Sequence, residues 1–532
     1  MWIKIDQLKV DACKAPVPPE KALPVALRKT LGVPVRDYVI AGKSVDARRG
    51  RPQILYRIFA DVMQLPEGFQ PAMPPTDPDE SGLWQALPAK VTNPIVVGTG
   101  PCGIFAALGL ALAGCKPIIL DRGQDVERRS ADYKTFLASR MLNPDSNLLI
   151  GEGGAGTFSD GKLYTNNRDK RIAFILDTLV RHGAPPEIRY LKRPHIGSDN
   201  LTLIARNLRR YLQSLGAEFR FGVQVTGLEI RDNICTGVKT ASGEVLQAPC
   251  TVLAAGLGGR ELTMNLCRQQ VPHVLKPFQI GCRIEHPQKW VDRQQYRMPS
   301  RPEALAAAEY HLACPPKDGV LGVSSFCMCP GGEVLAASAW PGQLVSNGMS
   351  EFARAGEFAN AALIATLDSS LFQTPEDAYA FLTDLEKRAF AMGGSDYTFP
   401  AQSAAAFLRH ENGLTRKNSS VATGITPGRL DELLPAPVRD ALSNALKDFD
   451  RKCPGFIREG MFLGLESCIS SPVRFIRDAA TGASPVQRLY CGGEFGGWAG
   501  GITSAAADGL RMAWAICGGN QDGDLTKPHS GC

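Results

Sequence analysis

Residues 94–121 read PIVVGTGPCGIFAALGLALAGCKPIILD, and this stretch decides the fold. Ile95, Val96 and Val97 form a short apolar run that leads into Gly98, Gly100 and Gly103, a G-x-G-x-x-G pattern. Behind it Ile104, Ala107, Leu108 and Ala111 recur at helical spacing, Gly114 stands where a helix C-cap glycine belongs, and residues 117–120 read as a second strand. In such a strand–helix–strand unit the first glycine permits a tight turn, the second lets a pyrophosphate approach the backbone, and the third lets helix and strand pack closely. Asp121 follows Gly103 by 18 residues, where an acid accepts ribose hydroxyls, and the helix N-terminus faces the phosphates. Gly98, Gly100, Pro101, Cys102, Gly103, Asp121 and Arg122 thus form a candidate site for the ADP half of a dinucleotide. The alternative is a phosphate-free turn in which Asp121 caps the next loop.

Two later segments bear on which dinucleotide. Residues 151–163, GEGGAGTFSDGKL, are dense in glycine. Gly156, Gly161 and Lys162 have P-loop spacing, but Leu163 stands where the magnesium-binding Ser or Thr must be and no strand leads directly in, which argues against ATP. Gly153, Gly154, Ala155, Gly156, Thr157, Ser159, Lys162 and Leu163 read instead as backbone passing close to a flat ring and ribityl chain, or as a plain surface loop. A helix over 201–215 precedes a strand over 219–225 that ends at Val225, and a β-rich stretch closes on Ala255 and Gly256. The strand 489–491 then runs into Gly493, Glu494, Gly500 and Gly501, with a helix from Ile502. An acid after a short strand, followed by glycines at a helix start, is the second half of an FAD site. Glu494 would bind ribityl hydroxyls while the N-terminus at Ile502 faces the flavin pyrimidine carbonyl or the pyrophosphate. Together the two sites select FAD, held noncovalently, over NAD.

Composition sets the frame. A chain of 532 residues with 44% hydrophobic and 21% charged residues is long enough for two or three folded domains. The net charge of +6 is small, and Lys and Arg are scattered among acids, which excludes a nucleic-acid partner from the expectation. Residues 1–10 alternate apolar and polar as a strand rather than as a signal peptide, and the longest apolar run, 104–113, is far shorter than the roughly 18 to 20 residues of a membrane helix. The expected place is the cytoplasm, with no membrane partner. The 15 cysteines, from Cys13 to Cys532, contain no C-x-x-C and read as reduced thiols. The seven histidines show no metal-ligand spacing, so no metal is expected. Residues 1–72 give strand, helix and strand signals for a small α/β module. Residues 73–92 read as a linker, within a stretch where Pro66, Pro71, Pro74, Pro75, Pro78 and Pro88 break regular elements.

Longer motifs carry a resemblance: KSVDAR at 43–48, GEGGAGTFSDGKLYT at 151–165, SFCMCPGG at 325–332, NGMS at 347–350, SSPVR at 470–474 and GGEFGGWAGGITSAAADG at 492–509. Through them the chain resembles a bacterial family, with plastid relatives, of uncharacterised FAD-dependent dehydrogenases, also described as NAD(P)/FAD-dependent oxidoreductases, with a small N-terminal module. The resemblance implies an α/β fold: a three-segment, Rossmann-like FAD-binding domain with an inserted α+β cap. The expected layout is residues 1–72 as the small α/β domain, 73–92 as linker, 93–270 as the first two FAD segments, 271–465 as the substrate or cap domain, and 466–532 as the third FAD segment. It implies no substrate. Asp121 stands where the family more often has Glu, Phe495, Gly496 and Trp498 depart from its usual GAGYAGG, and Cys468 and Ile469 fall where it tends to have Arg and Thr.

The chain contains no second strand–G-x-G-x-x-G–helix unit, so electrons are expected to reach the flavin directly from a small-molecule substrate, with an external donor or acceptor closing the cycle. Helices are expected in the cap over 351–367 and 378–392. Arg283, Glu285 and His286 follow a strand over 278–282 and suit an anionic substrate or a proton shuttle, or an exposed salt-bridged strand end. Cys327 and Cys329 are the candidate redox thiols. On a regular strand they would share one face about 7 Å apart, too far for a disulfide unless the backbone turns, and core packing is the other reading. Arg474 is the candidate cation near the flavin, a surface ion pair being the alternative. The reactive pocket is expected at the cap junction, walled by 327–332 and 471–474. These readings sum to an FAD-dependent oxidoreductase, dehydrogenase or oxidase, acting at the flavin/cap interface. The alternatives are a flavin-dependent thiol oxidoreductase using Cys327 and Cys329, and a non-catalytic FAD-containing binding or assembly protein.

Overall fold

The computed structural model of the protein describes residues 1–48, 50–75, 80–87, 91–165 and 169–519; Pro78, Pro88 and Cys532 lie outside the described residues. Five parallel strands in the order Leu489–Cys491, Thr251–Leu253, Ile95–Val97, Ile118–Asp121 and Glu218–Phe221 make one sheet. Its three inner strands are apolar and wholly or almost wholly buried, as expected of a parallel sheet covered on both faces. The ladder runs past the strand ends into the turns: Gly98 N donates to Leu120 O at 2.8 Å, Ala254 N to Val97 O at 2.8 Å, and Gly492 N to Leu253 O at 2.9 Å. The glycine turns after three separate strands and Asp121 are thereby held along one edge, at the carboxyl ends where ligands of open α/β sheets bind.

Two helices reach that edge. Pro101–Leu112 is buried over all but its first residue and packs against Ile502–Ile516. The approach depends on glycine, because a β-carbon at Gly509 would lie 2.1 Å from Cys102 O. Near the far end of the same contact Pro101–Leu112 meets Trp84, whose ring lies 2.7 Å from where a Gly109 β-carbon would be, beside Ala513 at 2.8 Å. Trp84 sits in a helix, Glu80–Gln85, and packs edge-on against Trp514 with ring centroids 5.2 Å apart. The stretch read as an unstructured linker therefore includes a docked helical turn. Prolines flank it, but the apolar Trp84 and Leu87 gain more by burial than the linker reading allowed.

A seven-stranded sheet forms the second large layer, in the order Ala313–Cys314, Val323–Cys329, Phe358–Leu367, Phe278–Pro287, Met461–Glu466, Phe399–Ser403 and Ile425–Pro427. Residues 358–367, expected as part of a helix, are one of its inner strands and are buried except at Thr366. An alanine-rich strand covered on both faces shows no alternation, so periodicity cannot separate it from a buried helix. The other expected cap helix forms, as Pro375–Met392, with a capping box between Thr374 and Asp377. At the N-terminus Trp2–Asp11, Gln53–Val62 and Val35–Asp46 make an antiparallel sheet with Gln53–Val62 central, covered by Leu23, Leu27 and Leu31 of the helix Leu23–Leu31. Among the described residues no helix is long and apolar enough to cross a membrane.

Candidate functional site

A cleft of about 650 Å³ opens at the carboxyl edge of the parallel sheet and extends to the seven-stranded sheet. It falls within the usual range of about 300–1,000 Å³ for small-molecule sites. Its floor is the fingerprint turn. Gly98 has φ 101°, and a β-carbon there would lie 2.4 Å from Ala254 O, while one at Gly103 would lie 1.9 Å from Gly98 O. Gly103 is thus a packing residue behind the cleft, whereas Gly98, Gly100, Pro101 and Cys102 line it. Gly100 caps the helix Pro101–Leu112 with no side-chain bond, leaving the first-turn amides free of a side-chain acceptor. Gly501 caps Ile502–Ile516 in the same way, and no protein atom lies within 4 Å of where its β-carbon, or that of Gly256, would stand. Two uncapped helix N-termini facing one open space make an anion cradle.

Asp121, buried at the strand end, accepts from Thr99 N at 2.9 Å, from Thr99 Oγ1 and from Gly123 N at 2.8 Å. It lines the cleft with Arg122, which is bridged to Asp145 at 2.8 Å and Glu261 at 3.2 Å. The glycine-rich loop packs on the fingerprint: Gly153 N donates to Thr99 O at 3.0 Å, and a β-carbon at Gly154 would lie 3.2 Å from Gly100 Cα. Gly154, Ala155, Gly156, Ser159 and Lys162 line the cleft. Gly153 and Thr157 lie behind it around a smaller cavity, and Leu163 is core, its carbonyl held by Thr503 Oγ1 at 2.7 Å. Val225, Ala255, Gly256, Gly493, Glu494, Gly500, Gly501 and Ile502 complete the wall. Burial pushes the Glu494 carboxyl up, and its Oε1 accepts from Ser471 N at 3.0 Å.

Several residues that shape the cleft carry no local sequence signal. Arg129, wholly buried, donates to the carbonyls of Asn147 (2.7 Å), Leu148 (2.8 Å), Glu152 (2.6 Å) and Gly154 (2.9 Å) and so fixes the glycine-rich loop. Burial pushes its guanidinium down to about 10, still a cation at neutral pH. Asp508 ties the third glycine turn by accepting from Gly493 N at 2.8 Å while paired with Arg477 at 2.7 Å. Asn347, in the NGMS motif, and Glu466 close the far end.

The candidate catalytic residues divide. Cys327 lines the cleft beside Ser325 and Phe326, whereas Cys329 is buried behind it. The strand is bulged between Phe326 and Cys329, with Cys327 at φ 45°, so the separation expected on a regular strand does not hold. Cys329 Sγ donates to Cys327 O at 3.5 Å. Arg283 is neither exposed nor in the wall; it is fully buried and paired with Glu466 at 2.7 Å. His286 stands away from the cleft among Trp290, Tyr310 and Phe456. Burial pushes its imidazole down to about 3, so it shuttles no proton near neutrality. Arg474 does not reach the cleft either. Val473 and Phe475 point inward on their strand, and strand alternation sends Arg474 out over the Trp498 ring, 5.0 Å from its centroid. Of the expected walls, 327–332 contributes Cys327 and 471–474 contributes none, Cys468, Ile469 and Ser470 lining the cleft instead.

The uncapped helix pair, the glycine cradle and the acids Asp121 and Glu494 on opposite sides of it fit FAD. Two family models agree. Residues 277–468 match the family model "FAD-dependent protein, C-terminal domain-like", and residues 200–326 match "FAD dependent oxidoreductase". An uncharacterized protein of Clostridium beijerinckii is 40% identical over 428 residues, covering 79% of this chain and 80% of its own length. The probable electron transfer flavoprotein-quinone oxidoreductase YdiS of Escherichia coli is 29% identical over 181 residues, 32% of this chain and 38% of that protein. Among solved structures, CtdE in complex with FAD aligns over 82% of this chain and 87% of its own at 14% identity, with a TM-score of 0.33.

Proposed function

We propose, on the premise that this chain belongs to the family of bacterial FAD-dependent proteins that includes its Clostridium relative, that it oxidises or reduces a small molecule in the cleft between its parallel sheet and its seven-stranded sheet. The observation that carries this reading is the joining, in one cavity, of the FAD cradle with a far wall of Ser325, Cys327 and Glu466 from the seven-stranded sheet and Asn347 from a neighbouring two-stranded one. Bound FAD supplies two-electron chemistry at its ring. The protein's part is to hold and shield it. Asp121 accepts the ribose hydroxyls, the N-termini of Pro101–Leu112 and Ile502–Ile516 balance the pyrophosphate, and Glu494 takes ribityl hydroxyls. In this reading residues 93–270 and 466–532 form the FAD-binding domain in three segments, 271–465 are the inserted cap, and 1–72 are a separate small module. The far wall, half-buried at Ser325, Cys327 and Asn347 and buried at Glu466, limits water around the reacting atoms.

The test is cofactor content. The purified protein is expected to be yellow and to release intact, noncovalent FAD on denaturation. Asp121→Ala should weaken FAD retention about ten- to a hundredfold, since a charge-assisted bond is worth about 1.5–3 kcal/mol. A colourless wild-type protein that FAD cannot reconstitute overturns the reading.

A further inference from the structure

Among the described residues, three buried cations stand at the far wall of the cleft, and they face two buried carboxylates. Asp160 pairs with Lys162 Nζ at 3.0 Å and with Arg354 Nε at 2.8 Å, and Glu466 pairs with Arg283 at 2.9 and 2.7 Å. Glu309, which also acts on Arg354, is taken up by Arg193 at 2.7 Å. Lys162 Nζ makes its ion pair without a directed hydrogen bond, and its ammonium is raised, so it stays charged. An uncompensated positive charge in a desolvated wall is costly, and it favours an anion beside it.

The group at that position is Cys327. Lys162 and Arg283 both favour its thiolate, against the opposing charge of Asp160, and Arg283 Nη1 lies 3.4 Å from its carbonyl. Tyr164 and His311 face the same space. A non-glycine residue at φ 45° in a strand bulge is held there at a cost, and such positions concentrate at functional sites. The bulge puts Cys327 on the cleft and leaves Cys329 behind it, with Cys329 Sγ 3.5 Å from the Cys327 carbonyl oxygen. The neighbouring Cys329, with Lys162 and Arg283, draws the Cys327 thiol down, whereas Cys329 is pushed up. A low nucleophile beside a protonated partner is the arrangement of an attacking and a resolving thiol.

We propose that Cys327 and Cys329 form a redox-active dithiol whose substrates are small disulfides. The Cys327 sulfur attacks one sulfur of the substrate, the substrate S–S bond breaks, and its electron pair leaves on the first thiolate. Cys329 passes its proton to that thiolate and attacks the Cys327 sulfur, expelling the second thiolate, which takes a proton from solvent. The dithiol has then lost two electrons and the substrate has gained them. The proposal rests on the FAD reading only for regeneration, which takes two electrons and one proton from a donor of the reduced-flavin class and restores the Cys327 thiolate and the Cys329 thiol.

The experiment uses the protein as purified, with flavin content read from its visible absorbance in the same sample. Iodoacetamide labelling located by mass spectrometry should place the fastest site at Cys327, with a rate half-maximal well below the about 8.5 of a free model thiol. Dithiobisnitrobenzoate should release both thionitrobenzoates and leave a Cys327–Cys329 disulfide peptide; in Cys329→Ser it should release only the first from this site and leave a mixed disulfide on Cys327. Lys162→Met should move the labelling midpoint upward. If that variant does not fold, the ultraviolet thiolate absorbance of wild type minus Cys327→Ser titrates the same group. A midpoint above pH 8, or a Cys327 that never joins Cys329, overturns the proposal. Flavin-free protein with the dithiol behaviour intact would instead count against the FAD reading alone.

Discussion

His286 shows what burial does to a single titratable side chain. Its Nε2 lies 3.0 Å from Phe456 O and so must donate, which leaves Nδ1 to accept from Tyr310 Oη at 3.3 Å; the neutral ring is fully satisfied. The native imidazole titrates near 3, below the ordinary value of about 6.5. Between those pH values the unfolded chain binds a proton that the native chain refuses, so this contribution is complete above about pH 6.5 and is lost as pH falls toward 3. The urea midpoint of wild type should therefore drop more between pH 7 and pH 4.5 than that of His286→Gln, and equal drops would show that His286 carries no such linkage. At this scale the cofactor half of the site was legible. Glycines, Asp121 and Glu494 act through their own local backbone and leave a local pattern. Arg129, Asp508 and the Arg354–Asp160 pair were not, since the last joins residues 194 apart and no spacing reports it.

Elements were legible where one face meets solvent or a cap marks the end. The helix Ser198–Ser214 buries Leu201, Ile204, Leu208 and Leu212 at helical spacing, and the helix expected over 378–392 forms but starts earlier, at Pro375, behind the capping box of Thr374 and Asp377. Phe358–Leu367 was misread because its surroundings, not its pattern, make it a strand. The bulge at Cys327 is a second case: nothing in SFCMC distinguishes a regular strand from a bulged one. The turn Glu80–Gln85 is a third, its importance resting on one side chain. Trp84 is wholly buried between Gly109 and Trp514, so Trp84→Ala should destabilise the protein by about 3–5 kcal/mol in chemical denaturation. Val25→Ala, at a residue 74% exposed, should change stability little. A Trp84→Ala effect below about 1 kcal/mol would mean that the segment is not docked in solution.

At the scale of the whole molecule, chain segments hundreds of residues apart meet at one sheet edge. Strands at 95–97, 251–253 and 489–491 each end in a glycine turn there, and Val323–Cys329 of the second sheet brings Cys327 to the same cavity. Each turn is ambiguous alone in the sequence; their convergence is what makes a cofactor site, and it is a property of the fold. The most direct test is the electron density of crystals grown from the flavin-containing protein. The account predicts FAD in this cleft, its ribose at Asp121, its pyrophosphate at the N-terminus of Pro101–Leu112, and its ring toward the wall that holds Cys327. Flavin bound elsewhere on the chain, or a ring turned away from that wall toward bulk solvent, would contradict it.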